Sequence, residues 1–581
     1  MDADDAAAGE AFLLVTQIGE FLNSLGLGDP LAQARIDFIV PRLIPLLPPP
    51  FVPAPDDDGS SDSDDDHFSL TSSDSSDDVA AGAGADRPAV VTAAQGDGLD
   101  HIGRLADDLL SNIIARLPTN EAARTMVLST RWRGVWAATP LLVDDAHLRV
   151  AEGHRRFNAV RAVSRCVAAH PGPVRAVRIT RTSFHQQEYA LQRLVAGLAT
   201  KNIQDLILFN RTCPLDMPLP DDILSCASLT RLYLGIWRWP FPDTVARTPA
   251  FPNLHELGLF HTLIDDKKVD ALLAQCPKLK ILSFAMASNC PSRLRVNSRS
   301  IRVVMEWRCS FDEVTIDDAP CLERLLFDSV GDRRPIKIDH TPRLEVLGFL
   351  DLQLHTLQIG GIVIKAGETV RPCAMLPSVK ILAVKVRFGN NMEAKMMPTL
   401  LRCFPCLETL HIKSIRSRSP DDDDDDDADD DMDFWKSLPS CDCLEYHLKT
   451  LVQHGYQGHK HEAGFICYIF RNGKVLRSNG IVYSDMKNMV LKGSDGSSSS
   501  DDESNASSGG SSGSDDVAVE REPMSGTVGE GNAPSGKRST GRYLFDHAVF
   551  PCWSFQNGID LSVEDPFYVL GPVIALIDLV E

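Results

Sequence analysis

The residues of this sequence that could do chemistry are cysteines and histidines gathered between positions 403 and 461. They are Cys403, Cys406, Cys441, Cys443, His447, His454, His459 and His461. Thiolate and imidazole groups are the ligands that zinc takes most often in proteins. Their spacing does not follow a zinc-ligand pattern, and Cys403 precedes a strand-like run, where a buried cysteine is ordinary. We therefore expect core and surface roles and no metal, with a zinc site as the alternative.

An intrinsic catalytic site is not predicted either. A cysteine nucleophile needs a neighbouring base, and no cysteine here lies in a local sequence that supplies one. The glycine- and serine-rich run over 493–510 lacks the lysine, strand and helix of a phosphate-binding loop. We expect a protein that is not an enzyme and holds no cofactor.

The charge is distributed unevenly along the chain. Lysine and arginine number 58 against 80 acidic residues, and the net charge of −22 argues against nucleic-acid binding through phosphates. Ten acidic residues lie within 56–78, eleven within 421–433 and six within 495–516, and these segments contain no lysine or arginine. Such runs cannot bury apolar surface, so we predict disordered spacers. The serines among them offer sites for acidophilic kinases, which is an alternative, regulatory role.

Nothing in the sequence predicts secretion or a membrane partner. The chain starts with acidic residues where a signal peptide needs a basic flank, and no apolar run reaches the ~20 residues that span a bilayer. Its 14 cysteines are scattered through apolar segments, which fits reduced thiols better than a disulfide framework. We expect the protein in the cytoplasm or the nucleus.

Three short helices are predicted between residues 97 and 145. The first carries apolar residues at helical spacing behind two aspartates, and Pro118 ends it. The second follows Thr119 as its N-cap and turns Val127 inward, and the third has leucine, valine and tryptophan on one stripe. Three helices make a core too small to bury all these side chains, so a partner is expected to cover the rest.

This stretch resembles the F-box, the module through which cullin-RING ubiquitin ligases bind their adaptor. The resemblance lies in Leu105, in the run LLSNIIARLP over 109–118 and in the run EAARTMVLSTRWRGVW over 121–136. In the family a proline usually follows the first leucine, where this chain has Ala106. The resemblance implies a Skp-type adaptor as partner and, through it, a cullin and a RING subunit. A self-contained helical cap on the next domain is the alternative.

Apolar and aromatic anchors usually dominate such interfaces, and some of those in this stretch must pack internally instead. The residues predicted to contact the adaptor are Leu105, Leu109, Ile113, Ile114, Leu117, Pro118, Leu128, Trp132 and Trp136.

A repeated apolar pattern follows, from residue 146 to 415. The pattern L-x-x-L-x-L, with apolar substitutes, begins at Ile203, Leu229, Leu254, Leu279, Leu322, Leu344, Val379 and Leu407. The first spacings are 26, 25 and 25 residues, two matched segments are 22 residues apart, and the unit at 301–314 is irregular. Each unit predicts a short strand that cannot bury its own face alone. Roughly eight or nine units must therefore stack into a curved solenoid, several with a helical return.

The solenoid resembles the leucine-rich repeats that follow the F-box in a large group of plant proteins. Variable positions of each strand are expected on the concave side, where an unknown target protein would bind. They are Arg231, Tyr233, Glu256, Arg324, Val346 and His411, with Trp237 and Trp239 as large exposed residues just beyond the second strand.

The segment 433–482 resembles the FBD module that ends many plant F-box repeat proteins, and it would close the open end of the solenoid. The predicted fold class is α/β: a small three-helix F-box, a curved leucine-rich-repeat solenoid, an FBD-like cap and disordered acidic segments. The predicted domains are an N-terminal segment and acidic linker (1–96, with a helix over 11–27), the F-box (97–145), the solenoid (146–415), an acidic inserted loop (416–433), the FBD-like cap (434–482), a disordered linker (483–542) and a C-terminal segment (543–581). The last is apolar enough to fold or to dock back on the solenoid, and its role is open.

These resemblances imply the substrate-recognition subunit of an SCF-type cullin-RING E3 ubiquitin ligase. Two alternatives stay open: a non-catalytic repeat scaffold that does not assemble a ligase, and an enzyme that acts through the cysteines and histidines near the FBD-like segment.

Overall fold

The structure is a computed structural model of the chain. It describes residues 40–48, 102–147, 159–184, 186–211, 217–240, 250–287, 291–415, 428–482 and 554–567. The predicted helix over 11–27 and the acidic segments 56–78 and 495–516 lie outside these residues. In the described part of the chain, none of the helices combines the length and the apolar character needed to cross a bilayer.

Three helices open the described central part of the chain. They are α1 (Asp107–Ala115), α2 (Thr119–Arg124) and α3 (Thr130–Ala138). Ser129 caps α3, since its side chain accepts a hydrogen bond from the Trp132 amide. Thr119 is not the N-cap that the sequence predicts; it is the first residue of α2, and its hydroxyl donates to the Leu142 carbonyl at 2.6 Å. This bond ties the helices to the first strand that follows.

The repeats build one long sheet of thirteen parallel strands, in which chain order is kept from one edge to the other. With all strands numbered in chain order, they are β1 (Leu141–Asp144), β2 (Val174–Ile179), β3 (Asp205–Phe209), β4 (Arg231–Gly235), β5 (Glu256–Phe260), β6 (Ile281–Ala285), β8 (Val303–Trp307), β10 (Arg324–Asp328), β12 (Val346–Asp351), β15 (Ile381–Val386), β16 (Thr409–Ser414), β17 (Thr450–His454) and β18 (Ser478–Val482). The sheet therefore exceeds the eight or nine strands expected from the apolar pattern.

The return segments lie behind one face of this sheet and take two forms. Within the described residues, four returns between β1 and β16 contain α-helices: α4 (Ala159–Ala169), α5 (Glu188–Thr200), α6 (Asp266–Ala274) and α7 (Asn391–Arg402). Others are strands of a second sheet: β7 (Arg293–Asn297), β9 (Glu313–Asp318), β11 (Arg334–His340), β13 (His355–Ile359) and β14 (Ile362–Val363). An extended return spans the same distance with fewer residues, which accounts for the shorter 22-residue repeats.

The main core lies between the long sheet and these returns. In most repeats the second and third apolar positions point into it, as Leu232 and Leu234 do on β4, but Phe349 of β12 lies on the opposite face of the sheet. From α6, Val269 and Leu272 are buried in the same core and Leu273 packs against it, as the sequence predicts. The side chains of the residues between these positions point to the opposite face of the sheet, because successive residues of a strand face opposite ways.

The irregular repeat has a specific cause. It begins at the buried Ile301, and Val304 takes the second apolar position, but Glu306 occupies the third, where the neighbouring repeats have a leucine or a phenylalanine. Glu306 is buried on β8 and pairs with the buried Arg334 of β11. The pattern is interrupted because an ion pair replaces one apolar contact between the two sheets.

The last repeats are continued by α8 (Ala428–Ser437), β17, α9 (Lys460–Asn472) and β18. The helix α8 begins inside the acidic run that the sequence predicts as a loop. Trp435 of α8 lies against Gly464 of α9, where a Cβ atom would come within 2.3 Å of the indole ring. Glycine therefore lets the two helices approach closely at this end of the sheet.

Candidate adaptor and target surfaces

Large apolar side chains are exposed to an unusual degree on the three N-terminal helices. Of the nine large hydrophobic residues that are exposed in the described part of the chain, five lie between residues 102 and 128. We call them the adaptor ridge: Ile102 (57% exposed), Leu109 (55%), Ile113 (43%), Val127 (83%) and Leu128 (67%). Such a concentration of exposed apolar surface on one small module marks an interaction site.

A small apolar core holds the ridge in place. It contains Leu110, Ile114, Ala122, Trp132 and Val135. Arg131 of α3 makes a 2.7 Å ion pair with Asp107 at the start of α1 and donates hydrogen bonds to the carbonyls of Gly103 and Leu105. The turn before α1 is thereby fixed against α3, and the exposed leucines and isoleucines project from this module.

The predicted adaptor residues fall into three groups. Leu109, Ile113 and Leu128 are exposed on the ridge, and they remain predicted contacts. Leu105, Leu117 and Pro118 are half-buried at its border. The structure reassigns the remaining three residues, because Ile114 and Trp132 are buried in the module's own core and Trp136 packs edge-on against His170, 5.1 Å between ring centroids.

Two residues of the ridge, Ile102 and Val127, are not among the adaptor contacts predicted from the sequence. Val127 was expected inward on a helix, but α2 ends at Arg124, and a short turn then carries Val127 outward. Ile102 precedes the first helix and has no helical periodicity to identify it. For Ile102, its isolated apolar character between His101 and Gly103 was the available signal, whereas Val127 lies between two other apolar residues.

The second candidate surface is the face of the long sheet that points away from the main core, here called the sheet face. Because neighbouring strands are parallel and in register, residues at the strand starts align in one row. The row runs through Arg231, Glu256, Ile281, Val303, Arg324 and Val346. In the next row, Tyr233 lies over Gly258, whose missing side chain leaves room for the aromatic ring.

Two segments from opposite parts of the chain cover the sheet face. Residues 40–48 contribute Val40, Leu43, Leu46 and Leu47, and residues 554–567 contribute Phe555, Ile559 and Phe567; all seven are buried in one cluster with sheet-face residues. The Gln556 side-chain amide joins the two segments, because it donates to the carbonyls of Leu46 (2.9 Å) and Leu47 (3.1 Å). Residues 554–567, the described part of the predicted C-terminal segment, dock on the solenoid, which is one of the two outcomes that the composition of the segment predicts.

This cover corrects the prediction of an open target surface. Arg324, Val346, His411 and Tyr233 do lie on the sheet face, but all four are buried. Trp237 and Trp239, predicted as exposed, are buried in the main core instead. The indole of Trp237 donates to the Leu208 carbonyl at 2.9 Å.

Arg231 and Glu256 remain half-buried at the edge of the cover. Together with Lys280, Arg302 and the covering segments they line a cavity of about 580 Å³. Arg231 is paired with Asp205, and the pKa of Glu256 is raised because burial disfavours its charged form, although Arg231 opposes this shift. This cavity contains the part of the predicted target surface that is least covered.

The cysteines and histidines near the end of the sheet are not arranged as a metal site. Across the described residues, no three side chains of histidine, cysteine, aspartate or glutamate lie close enough together to hold an ion. Cys403 is buried in the main core, and its thiol donates to the Thr399 carbonyl at 3.5 Å. Cys441 and Cys443 contact each other at 3.4 Å, while His461 accepts a hydrogen bond from Trp435.

The geometry thus defines a class: a small helical module with an exposed apolar ridge, fused to a parallel-sheet solenoid of leucine-rich repeats. Family comparisons agree with this division. The F-box domain model matches residues 102–143, the FBD model matches 437–479, and a model described as the leucine-rich repeats of FBD-associated F-box protein At5g56370 matches 191–412.

Curated relatives have names that combine the F-box with leucine-rich repeats, and two of the three named here also include the FBD. F-box/FBD/LRR-repeat protein At1g13570 of Arabidopsis thaliana is 26% identical over 43% of this chain and 53% of its own length. Arabidopsis F-box/LRR-repeat protein 13 is 27% identical over 57% of this chain and 80% of its own length. Putative F-box/FBD/LRR-repeat protein At5g52460, also from Arabidopsis, is 24% identical over 66% and 88%. The chain therefore spans about half the length of some curated relatives and most of others.

The chain therefore matches F-box, leucine-rich-repeat and FBD family models in three separate regions, and it is similar to F-box/FBD/LRR-repeat proteins of Arabidopsis thaliana.

Proposed function

We propose that this protein is the substrate-recognition subunit of an SCF-type cullin-RING ubiquitin ligase. Its F-box binds a Skp-type adaptor, which links it to a cullin and a RING subunit, and its repeat region binds a target protein. The chain makes no bonds itself. It raises the local concentration of target lysines near the ubiquitin-charged conjugating enzyme, which is catalysis by proximity.

The adaptor ridge is the observation that carries this proposal. Each large apolar side chain gains roughly 1.5–3 kcal/mol when it is fully removed from water, and five such residues are at least 43% exposed within one module. Binding of a partner that covers the ridge is favoured by this free energy. The F-box family match over 102–143 supports a Skp-type adaptor as that partner, and none of the three matched families is a catalytic domain.

The test is co-purification of the full chain with a Skp-type adaptor. We expect a stoichiometric complex with wild type and its loss in Leu109→Asp/Ile113→Asp, because two exposed anchors then place charges in an apolar contact. Tyr189→Asp/Met392→Asp is the matched control, since these residues are similarly exposed but lie outside the F-box.

Circular dichroism of each variant must first show an intact fold. Loss of the complex in the ridge variant alone supports the proposal. Absence of a complex with several adaptors, or equal loss in the control variant, would overturn it.

A further inference from the structure

Residues 554–567 contact the sheet face as a bound peptide would, through spaced aromatic anchors. Phe555 lies between Phe260 and Trp307, with ring centroids 5.5 and 5.8 Å apart in edge-on geometry. Twelve residues later, Phe567 packs against Phe349 at 4.9 Å and His411 at 5.7 Å. All of these contacts join the segment to strands of the repeats.

Arg324 provides the polar part of the same contact. Its guanidinium donates to backbone carbonyls of the segment at Asn557 (3.1 Å), Gly558 (3.2 Å), Asp560 (2.9 Å), Leu561 (3.4 Å) and Val563. Several of these carbonyls follow the one-turn helix α10 (Phe555–Ile559), whose last carbonyls have no partner within the helix. The arginine thus recognises a turn of peptide backbone rather than a particular side chain.

Burial lowers the pKa of Arg324, because its charge lies on the sheet face among neutral carbonyl groups. A buried charge is costly unless it is fully hydrogen-bonded, so this position of the row is suited to a ligand that supplies carbonyl oxygens. At the other end of the contact, Nε2 of the buried His411 lies 2.8 Å from Oδ2 of Asp565.

A long stretch of chain connects the repeats to residues 554–567, as is expected for a bound peptide that another peptide can replace. Residues 483–553 precede this segment, and the sequence predicts a serine-, glycine- and aspartate-rich linker over most of that range. A peptide that belongs to the same chain as its binding site has an effective concentration on the order of millimolar, so even a weak intramolecular contact occupies its site.

We propose that residues 554–567 are a tethered ligand of the sheet face, which a target protein must displace. The inference rests on the proposed function, because it takes the sheet face as the target surface. It also identifies the chemistry of the target: a short peptide with a phenylalanine and an aliphatic residue one helical turn apart, followed by an acidic residue and a second phenylalanine.

The test measures binding of a fluorescein-labelled synthetic peptide of residues 554–567 to the full chain by fluorescence anisotropy. Wild type should bind it at least about tenfold more weakly than Phe555→Asp/Phe567→Asp, in which the internal segment cannot dock. Adding Arg324→Gln to that variant should abolish binding, since the carbonyl contacts are lost. A peptide with the same composition in scrambled order is the control.

Hydrogen exchange of wild type provides a second measurement that needs no substitution. We expect the amides of 556–567 to exchange by local opening, faster than the amides of β4 to β6. Exchange at the same rate as the sheet would overturn the inference, as would unfolding of the double variant or a folded double variant that does not bind the peptide.

The adaptor experiment separates the two hypotheses. Phe555→Asp/Phe567→Asp leaves the ridge unchanged and should co-purify with the adaptor as wild type does. If the variant binds the adaptor but not the peptide, only the tethered-ligand proposal is overturned. If it binds the peptide but not the adaptor, only the ligase proposal is overturned.

Discussion

Arg334 and Glu306 form an ion pair in which both side chains are only 1% exposed, and it connects the two sheets of the repeat region. Glu306 also accepts a hydrogen bond from the Ser329 hydroxyl at 2.8 Å, and Arg334 donates to the Phe311 carbonyl at 2.8 Å. Burial raises the pKa of Glu306, although the charge of Arg334 opposes this shift. The pair is therefore satisfied only while both partners are present.

Arg334→Met should lower the free energy of unfolding by ~3–5 kcal/mol, because it leaves a buried carboxylate without its partner. The double change Arg334→Met/Glu306→Leu should recover part of this loss, since it restores the apolar residue of the repeat pattern. Urea unfolding followed by circular dichroism measures both. Arg302→Met is the control: it breaks the more exposed pair with Glu323 and should cost about 1 kcal/mol or less, and an equal loss in both single variants would contradict the prediction.

Trp237→Ala should destabilise the protein by ~3–5 kcal/mol, because it removes a fully buried indole from the main core. The ring also packs against Phe184, with 5.1 Å between centroids. Tyr189→Ala, at a residue 72% exposed, should change stability by no more than about 0.5 kcal/mol. Thermal unfolding of the two variants distinguishes a buried Trp237 from the exposed Trp237 that the sequence predicts. If Trp237 were exposed, Trp237→Ala would be as stable as Tyr189→Ala.

Acid should destabilise the fold partly through His355. Its Nδ1 accepts a hydrogen bond from the Asp351 amide, and burial, assisted by the charge of Arg334, lowers its pKa to about 3. The folded state therefore favours the neutral ring, and this contribution is complete above pH ~6.5 and is lost as the pH falls from there towards 3.

His355→Asn keeps an acceptor in the side chain but does not titrate. Between pH 7 and 4.5, its free energy of unfolding, measured by urea titration, should fall less than that of wild type, by up to ~1.4 kcal/mol per pH unit. The carboxylates that also titrate in this range are common to both proteins and cancel in the comparison. Parallel pH profiles would show that the histidine does not contribute.

Ala106→Pro should be tolerated and should stabilise the F-box by ~0.4–1 kcal/mol. Ala106 has φ −61°, close to the angle that a proline ring imposes, and within the described chain its amide donates no hydrogen bond. Asn112→Pro, inside α1, is the control and should cost ~3 kcal/mol. Thermal unfolding reports on both, and a lower melting temperature for Ala106→Pro would contradict the expectation.

The repeats could be predicted from the sequence because a stacked parallel sheet imposes the same apolar positions on every strand. Leu232 and Leu234 are buried as this pattern requires. The unit at Ile301 was recognised as irregular but not explained, since the partner of Glu306 is on another sheet and no local pattern identifies it. The strands before Ile203 were not predicted, because their apolar positions depart from the repeat.

The cover of the sheet face could not be predicted, for a different reason. Phe555 and Phe567 are more than 200 residues away from Arg324 in the chain, and they show no periodicity that would identify a partner strand. On the F-box, helical spacing identified which residues are apolar but not which of them face the core. Ile114 and Leu109 lie on the same helix, yet the first is buried and the second is 55% exposed.

The two-part cover also bears on how the protein is made. Residues 40–48 leave the ribosome before any strand of the long sheet, but residues 554–567 are synthesised after all thirteen. At ~5–20 residues per second, the interval between Val482 and Phe567 lasts roughly 4–17 s. During this time Phe260, Trp307 and Phe349 lack their C-terminal cover, so the nascent chain presents an aromatic surface on which molecular chaperones can act.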